Sequence, residues 1–223
     1  MSVAGRPPGW LQTIVDAVGD VGVEQLSRHA PPEPGAGRAS AVLALFGESV
    51  ADGQLTPDVL LIERAFGLRS HAGTPAFPGG VVDPSDDGPV GAALREAHEE
   101  TGLDPAGVDV LAILPDLWLA AGGYVVTPVL AWWRAPSPVA VVDAGEVASV
   151  HRVPIADLVE PANRLRVHHP GGYAGPAFRV GGLLVWGFTA GILSWLLEVG
   201  GFSRPWDTSR VEPLPLPEGV GGR

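Results

Sequence analysis

From Gly79 to Leu103 the chain reads GGVVDPSDDGPVGAALREAHEETGL, a glycine pair, an acidic turn and a helix-forming run in immediate succession. The spacing predicts a helix over Pro89 to Thr101. Asp86 or Asp87 is available to cap its start, Pro89 suits a first turn, and Gly102 suits its end. At about 100° per residue, Glu96, Glu99 and Glu100 fall on one face of that helix, so three carboxylates point into one small volume. Like charges so placed repel, by a few tenths of a kcal/mol per pair on a bare helix, and a bound divalent cation reverses the sign. Hard carboxylate oxygens select Mg²⁺ or Mn²⁺. Taken as charge pattern alone, the same face also fits a solvated acidic surface.

The flanking chain favours the first reading. Arg95-Glu96-Ala97-His98-Glu99-Glu100-Thr101-Gly102-Leu103 resembles the core of the Nudix box: Arg-Glu, an aliphatic or small residue, any residue, Glu-Glu, any residue, Gly, and an aliphatic residue. Every fixed position of that core is met. Upstream, the family pattern places Gly, five residues, Glu, seven residues and then the arginine, and here an Asp stands for that Glu. Here Gly80 plus five residues reaches Asp86, which is separated from Arg95 by eight intervening residues, whereas Asp87 is separated from Arg95 by seven and from Gly80 by six. One extra residue thus leaves both aspartates eligible as the partner of Arg95.

A second resemblance adjoins the first. Leu60, Leu61, Arg64, Ala65, Arg69, Gly73, Phe77, Pro78, Gly79 and Gly80 match, in register, the signature that precedes the box in coenzyme A pyrophosphatases. Ile62 stands where that signature has threonine. The resemblance implies an α/β Nudix fold, an α/β/α sandwich around a mixed β-sheet. It also implies metal-dependent hydrolysis of the diphosphate bridge of coenzyme A or a derivative, giving 3′,5′-ADP and 4′-phosphopantetheine or its acyl form. The alternatives are a Nudix hydrolase of another nucleoside diphosphate derivative (NADH, ADP-ribose or a nucleoside triphosphate) and a Nudix module that binds ligand without catalysis.

Individual residues take roles on that basis. Glu96, Glu99 and Glu100 are the candidate metal ligands, and Arg95 orients a carboxylate. The general base is Glu99, Glu100 or Glu146, the last standing in a loop after the box. Arg64 and Arg69 offer guanidinium forks to substrate phosphates, with surface salt bridges as the alternative. Gly79 and Gly80 allow backbone to approach a phosphate or metal closely. Phe77 is a core anchor or a platform for substrate, and Tyr124 suits a pocket rim. The adjacent His168 and His169 would point to opposite faces of a strand, which argues against a shared metal.

Composition sets outer limits. Lys plus Arg number 14 against 25 Asp plus Glu in 223 residues, a net charge of −11, which disfavours a nucleic-acid groove. There is no cysteine, so a thiol nucleophile, a zinc-thiolate site and a disulfide framework are excluded. The opening MSVAGRPPGWLQ lacks the apolar core of a signal peptide, and a cytoplasmic protein is expected. A small-molecule substrate and a homodimer are the expected partners, the dimer because several tryptophans need burial and because the family often pairs.

The rest of the chain is read as residues 1–37, an N-terminal helix (Trp10 to Val18) with a Pro/Gly linker; residues 38–200, the hydrolase domain; and residues 201–223, a Pro/Gly-rich tail. Strands are predicted over Ala41 to Phe46, Asp58 to Arg64, Val108 to Ala120 and Tyr124 to Arg134. A short strand and helix follow near Pro154. The uncharged run from Val180 to Leu197 reaches the lower limit for a membrane span. Its glycines divide it instead into a strand (Leu183 to Trp186) and a buried helix (Phe188 to Val199).

Overall fold

The computed structural model describes residues 6–19, 36–51, 53–68, 72–120, 122–168, 172 and 174–214. Arg69, His71, His169, most of the His29 to Arg38 linker and the last nine residues lie outside the described residues. Near-continuous apolar runs, buried on both faces, produce the long strands β1 (Arg38–Ala51), β2 (Gln54–Arg64) and β7 (Tyr124–Trp133). Strands β1 and β7 run parallel, and β1 and β2 pair antiparallel, so the sheet is mixed. Around them lie the short β3 (Pro75–Ala76) and β4 (Gly79–Val81), then β5 (Val108–Ile113), β6 (Leu117–Leu119) and β8 (Val147–Pro154). Their order is β3-β2-β1-β7-β5, with β4 on β1, β6 on β7 and β8 on β2.

Alternation along β1 and β7 divides the core. Leu43, Leu45, Val129, Ala131 and Trp133 face the helix α2 (Gly88–Thr101), whose Ala92, Ala93 and Ala97 permit a close approach to the sheet. Phe46, Leu130 and Trp132 face the other way. There they meet α1 (Gly9–Val18), α3 (Ile155–Val159) and α4 (Gly187–Val199), giving helices on both faces of a mixed sheet. Fully burying each such Leu, Phe or Val contributes about 1.5–3 kcal/mol, and this term holds the three layers together. Trp10 of α1 packs edge-on to Phe46, Trp132 and Phe202 and donates through Nε1 to Glu48 Oε1 at 2.9 Å, which docks the N-terminal helix on the core.

Some expectations change. The single strand expected over Val108 to Ala120 is two, broken at Leu114-Pro115-Asp116, where Pro115 can donate no ladder hydrogen bond. Trp132 and Trp133 are buried within the chain's own core, so their burial requires no second subunit. The uncharged run forms β11 (Leu183–Val185) and α4, and among the described residues no helix is long and apolar enough to cross a membrane. A second, four-stranded sheet forms around β11, the strand expected there, and its other three strands are not signalled by the sequence. It contains β9 (Arg164–His168), β10 (Ala174–Val180), β11 and β12 (Val211–Pro213), in the order β11-β10-β9-β12. His168 ends β9, exposed, with its carbonyl accepting from Leu214 N at 2.9 Å.

Candidate active site

The acidic turn and α2 are joined through one guanidinium. Arg95 Nε donates to Asp86 Oδ1 at 2.8 Å and Nη2 to Asp86 Oδ2 at 3.0 Å, a two-pronged pair. Nη2 also donates to the Val81 carbonyl at 3.1 Å, tying the helix to β4. Nη1 reaches Glu96 Oε1 and Glu99 Oε2, each at 3.0 Å. The two aspartates are therefore distinguished. Asp87 occupies the residue before α2, but its side chain makes no capping bond, while Asp86 takes the arginine. The Arg95 hydrogen bonds, followed by the Asp83 amide, hold the Asp86 carboxyl below the usual carboxylate range.

Asp86 is placed by its own turn. Asp83 N donates to Asp86 Oδ2 at 2.7 Å, Asp86 N returns a bond to Asp83 O at 3.0 Å, and Ser85 N caps Asp83 Oδ1 at 2.9 Å. Asp-Pro-Ser-Asp is turn chemistry that the sequence displays openly, and it takes up the extra residue. Asp86→Ala is expected to free Arg95 and lower kcat/KM about 10- to 100-fold, with Asp87→Ala within about twofold of the parent. Equal losses in steady-state assays of the two variants would reject this assignment.

The glycine pair shapes the floor. Gly79 N donates to Glu100 Oε2 at 3.0 Å. A Cβ on Gly79 would collide with the Ala41 carbonyl of β1, and one on Gly80 would enter the Glu96 carboxylate. At the far end of α2, Gly102 takes a left-handed φ of 72° and returns its N–H to His98 O at 2.8 Å, ending the helix as its position predicts.

The carboxylates differ sharply in environment. Glu100 is 2% exposed. Burial pushes its carboxyl up to about 8, against the Gly79 hydrogen bond; Glu96 and Glu146 add to the rise and Arg64 opposes it. Burial also raises Glu96, opposed by its bond to Arg95, with Glu99 and Glu146 adding like charge. Glu99 is the outermost, with a side chain 56% exposed. Glu146 is exposed, and its carbonyl accepts from Ala65 N at 2.8 Å, which anchors its loop to the end of β2 beside Arg64. Arg64, Glu96, Glu100 and Glu146 thus share one electrostatic neighbourhood although they come from three separate parts of the chain.

Two of the expected site residues lie elsewhere. Phe77 is 2% exposed in the large apolar core, so its ring has no face to offer a ligand. Tyr124 is engaged by Arg38, whose guanidinium carbon lies 4.6 Å from the ring centroid and whose Nη2 donates to the hydroxyl, and among the described residues no hydrogen bond joins it to the acids. Asp86, one of two aspartates eligible from spacing, is the one that pairs with Arg95.

Helices on both faces of a mixed sheet, carrying this acidic helix and its arginine, belong to a hydrolase of phosphorus-containing anhydrides. Residues 37–172 match the NUDIX domain model, and the chain belongs to the Nudix family. It is similar to the Uncharacterized Nudix hydrolase NudL of Escherichia coli (strain K12), at 39% identity over 152 residues, 65% of this chain and 76% of that protein. The protein of the same name from Cronobacter sakazakii (strain ATCC BAA-894) is 41% identical over the same shares. The crystal structure of a Nudix hydrolase from M. smegmatis, RenU, superposes with a TM-score of 0.51 at 22% identity, covering 76% of this chain and 89% of that one; this likeness is one of fold.

Proposed function

We propose that the protein hydrolyses the diphosphate bridge of coenzyme A or a coenzyme A derivative, and that residues 38–200 form the domain responsible. The observation that carries this reading is the in-register match from Leu60 to Gly80, Ile62 excepted, just ahead of the Nudix core. Its last glycines are the ones packed against Glu100 and Glu96, and its Arg64 lies in the charge field of Glu100.

Nudix hydrolases generally use divalent ions such as Mg²⁺ or Mn²⁺. Among the described residues no three acids or histidines are already drawn together as a ready-made cage. The donor set nevertheless fits a hard cation: Glu96 and Glu100 are raised carboxyls beside like charges, which a divalent ion relieves. Glu96, Glu99 and Glu100 would hold it, with Glu146 able to join. When bound, such an ion neutralises phosphate charge and lowers the pKa of water.

The chain's own residues do the rest. Arg95 orients Glu96 and Glu99 while its other edge is held by Asp86. The Gly79 N–H fixes one oxygen of Glu100. Arg64 supplies fixed positive charge for a substrate phosphate. A carboxylate of Glu99, Glu100 or Glu146 accepts the proton of the attacking water. The Arg95–Asp86 pair supports this reading over a module that binds ligand without catalysis.

The deciding assay incubates the pure protein with coenzyme A and Mg²⁺ or Mn²⁺. Formation of both 3′,5′-ADP and 4′-phosphopantetheine is expected. Turnover of NADH, ADP-ribose or a nucleoside triphosphate without turnover of coenzyme A or its acyl forms would reject the substrate assignment.

A further inference from the structure

Arg164 opens β9 and is 2% exposed. Its guanidinium is held between two rings, the central carbon lying 4.7 Å from the Phe178 centroid and 4.8 Å from that of Trp206. Nη2 donates to Ser194 Oγ at 2.9 Å, while Nε and Nη1 are buried and find no acceptor among the described residues. The rings engage the faces of the guanidinium and leave its in-plane N–H groups unanswered. An arginine does not escape by losing its proton, so a buried one retains its need for an anion. Burial lowers its proton affinity, and Glu198, one turn beyond Ser194 on α4, opposes that from an exposed position.

Beside this residue lies an open groove of about 460 Å³, bordered by Arg164, Ser194, Glu198, Ser203, Arg204 and Trp206. Helix α4 packs on the face of the large sheet opposite α2, so the groove is separate from the acids of the active site. Its outer wall is the segment after α4. Arg210 Nη1 fastens that segment to the Ala162 carbonyl at 2.6 Å, and β12 pairs with β9.

We propose that this groove binds a small organic carboxylate, with Arg164 and Arg204 as its cations and the Ser194 and Ser203 hydroxyls as further donors. Charge selects the class. Two arginines against one glutamate leave a single positive charge in the lining, which a monoanion neutralises. A doubly charged phosphate would leave excess negative charge beside Glu198. Arg204 is free to turn inward, because its pair with Glu160 is long, at 3.7 Å, and exposed on both sides.

The test uses the full-length protein, ¹⁵N-labelled, with sodium acetate replacing sodium chloride at constant pH and ionic strength. The Arg164 Nε–H resonance, assigned by its loss in Arg164→Lys, is expected to shift saturably with acetate. Glu198→Gln is expected to tighten acetate binding about threefold and Arg204→Gln to weaken it about threefold, since both side chains act through exposed charge. A response no different from chloride, or an unchanged affinity in both variants, would overturn the site. Saturation by inorganic phosphate at lower concentration than acetate would overturn the carboxylate assignment. Because the signal belongs to Arg164, none of these outcomes depends on whether coenzyme A is the substrate.

Discussion

Glu100→Gln is expected to lower kcat/KM by on the order of 10³-fold, because it removes one ionised ligand from the proposed metal site while its side-chain oxygen can still accept from Gly79. The pH dependence of stability distinguishes this from a folding defect. The Glu100 carboxyl is pushed up to about 8 by burial. A carboxyl raised in the folded state contributes its stability below the unfolded value of about 4.3 and loses it as pH rises towards the folded value. The metal-free parent should therefore lose urea resistance between about pH 4.3 and 8, and the variant should lose less. Glu96, raised in the same direction, leaves a residual slope. Added Mg²⁺ should stabilise the parent at pH 8 and have little effect on the variant. Identical pH profiles with EDTA, or unimpaired turnover, would remove Glu100 from the metal site.

The second large effect separates two neighbouring glycines. Gly79→Ala drives a methyl group into the backbone of β1, against the Ala41 carbonyl and 2.7 Å from Val42 Cα, neither of which can swing aside. A loss of about 3 kcal/mol is expected, lowering Tm by roughly 6–12 °C. In Gly80→Ala the obstacle is the end of the Glu96 side chain, which can rotate away. Its Tm should stay within about 2 °C of the parent, while kcat/KM falls about 100-fold because Glu96 no longer lies where Arg95 holds it. Calorimetry and steady-state assays on both variants check the contrast. Equal Tm losses with equal activity losses would mean that Gly80, like Gly79, serves only the packing of β4.

Much of this site was legible in one dimension because its signals are local. Glutamates spaced three and four apart share a helix face wherever the helix packs. Gly102 ends α2 because the left-handed turn there excludes most other residues, and the alternation in β1 and β7 assigns each side chain to one layer or the other. The Pro/Gly punctuation before β1 and within the uncharged C-terminal run separated the elements for the same reason.

The sequence by itself thus determined the acidic helix, its ends, the glycines before it and the strands of the central sheet, since each follows from periodicity or backbone sterics within a few residues. Tertiary structure decided what depends on neighbours distant in the chain. It chose Asp86 over Asp87 through the Asp83 turn, took Phe77 into the core and broke the expected long strand at Pro115. It also enclosed Glu100 beneath β4 and Arg164 between two rings, and so created the raised carboxyl and the unanswered guanidinium. Burial and charge environment are set by surfaces that meet only after folding, and no spacing along the chain records them.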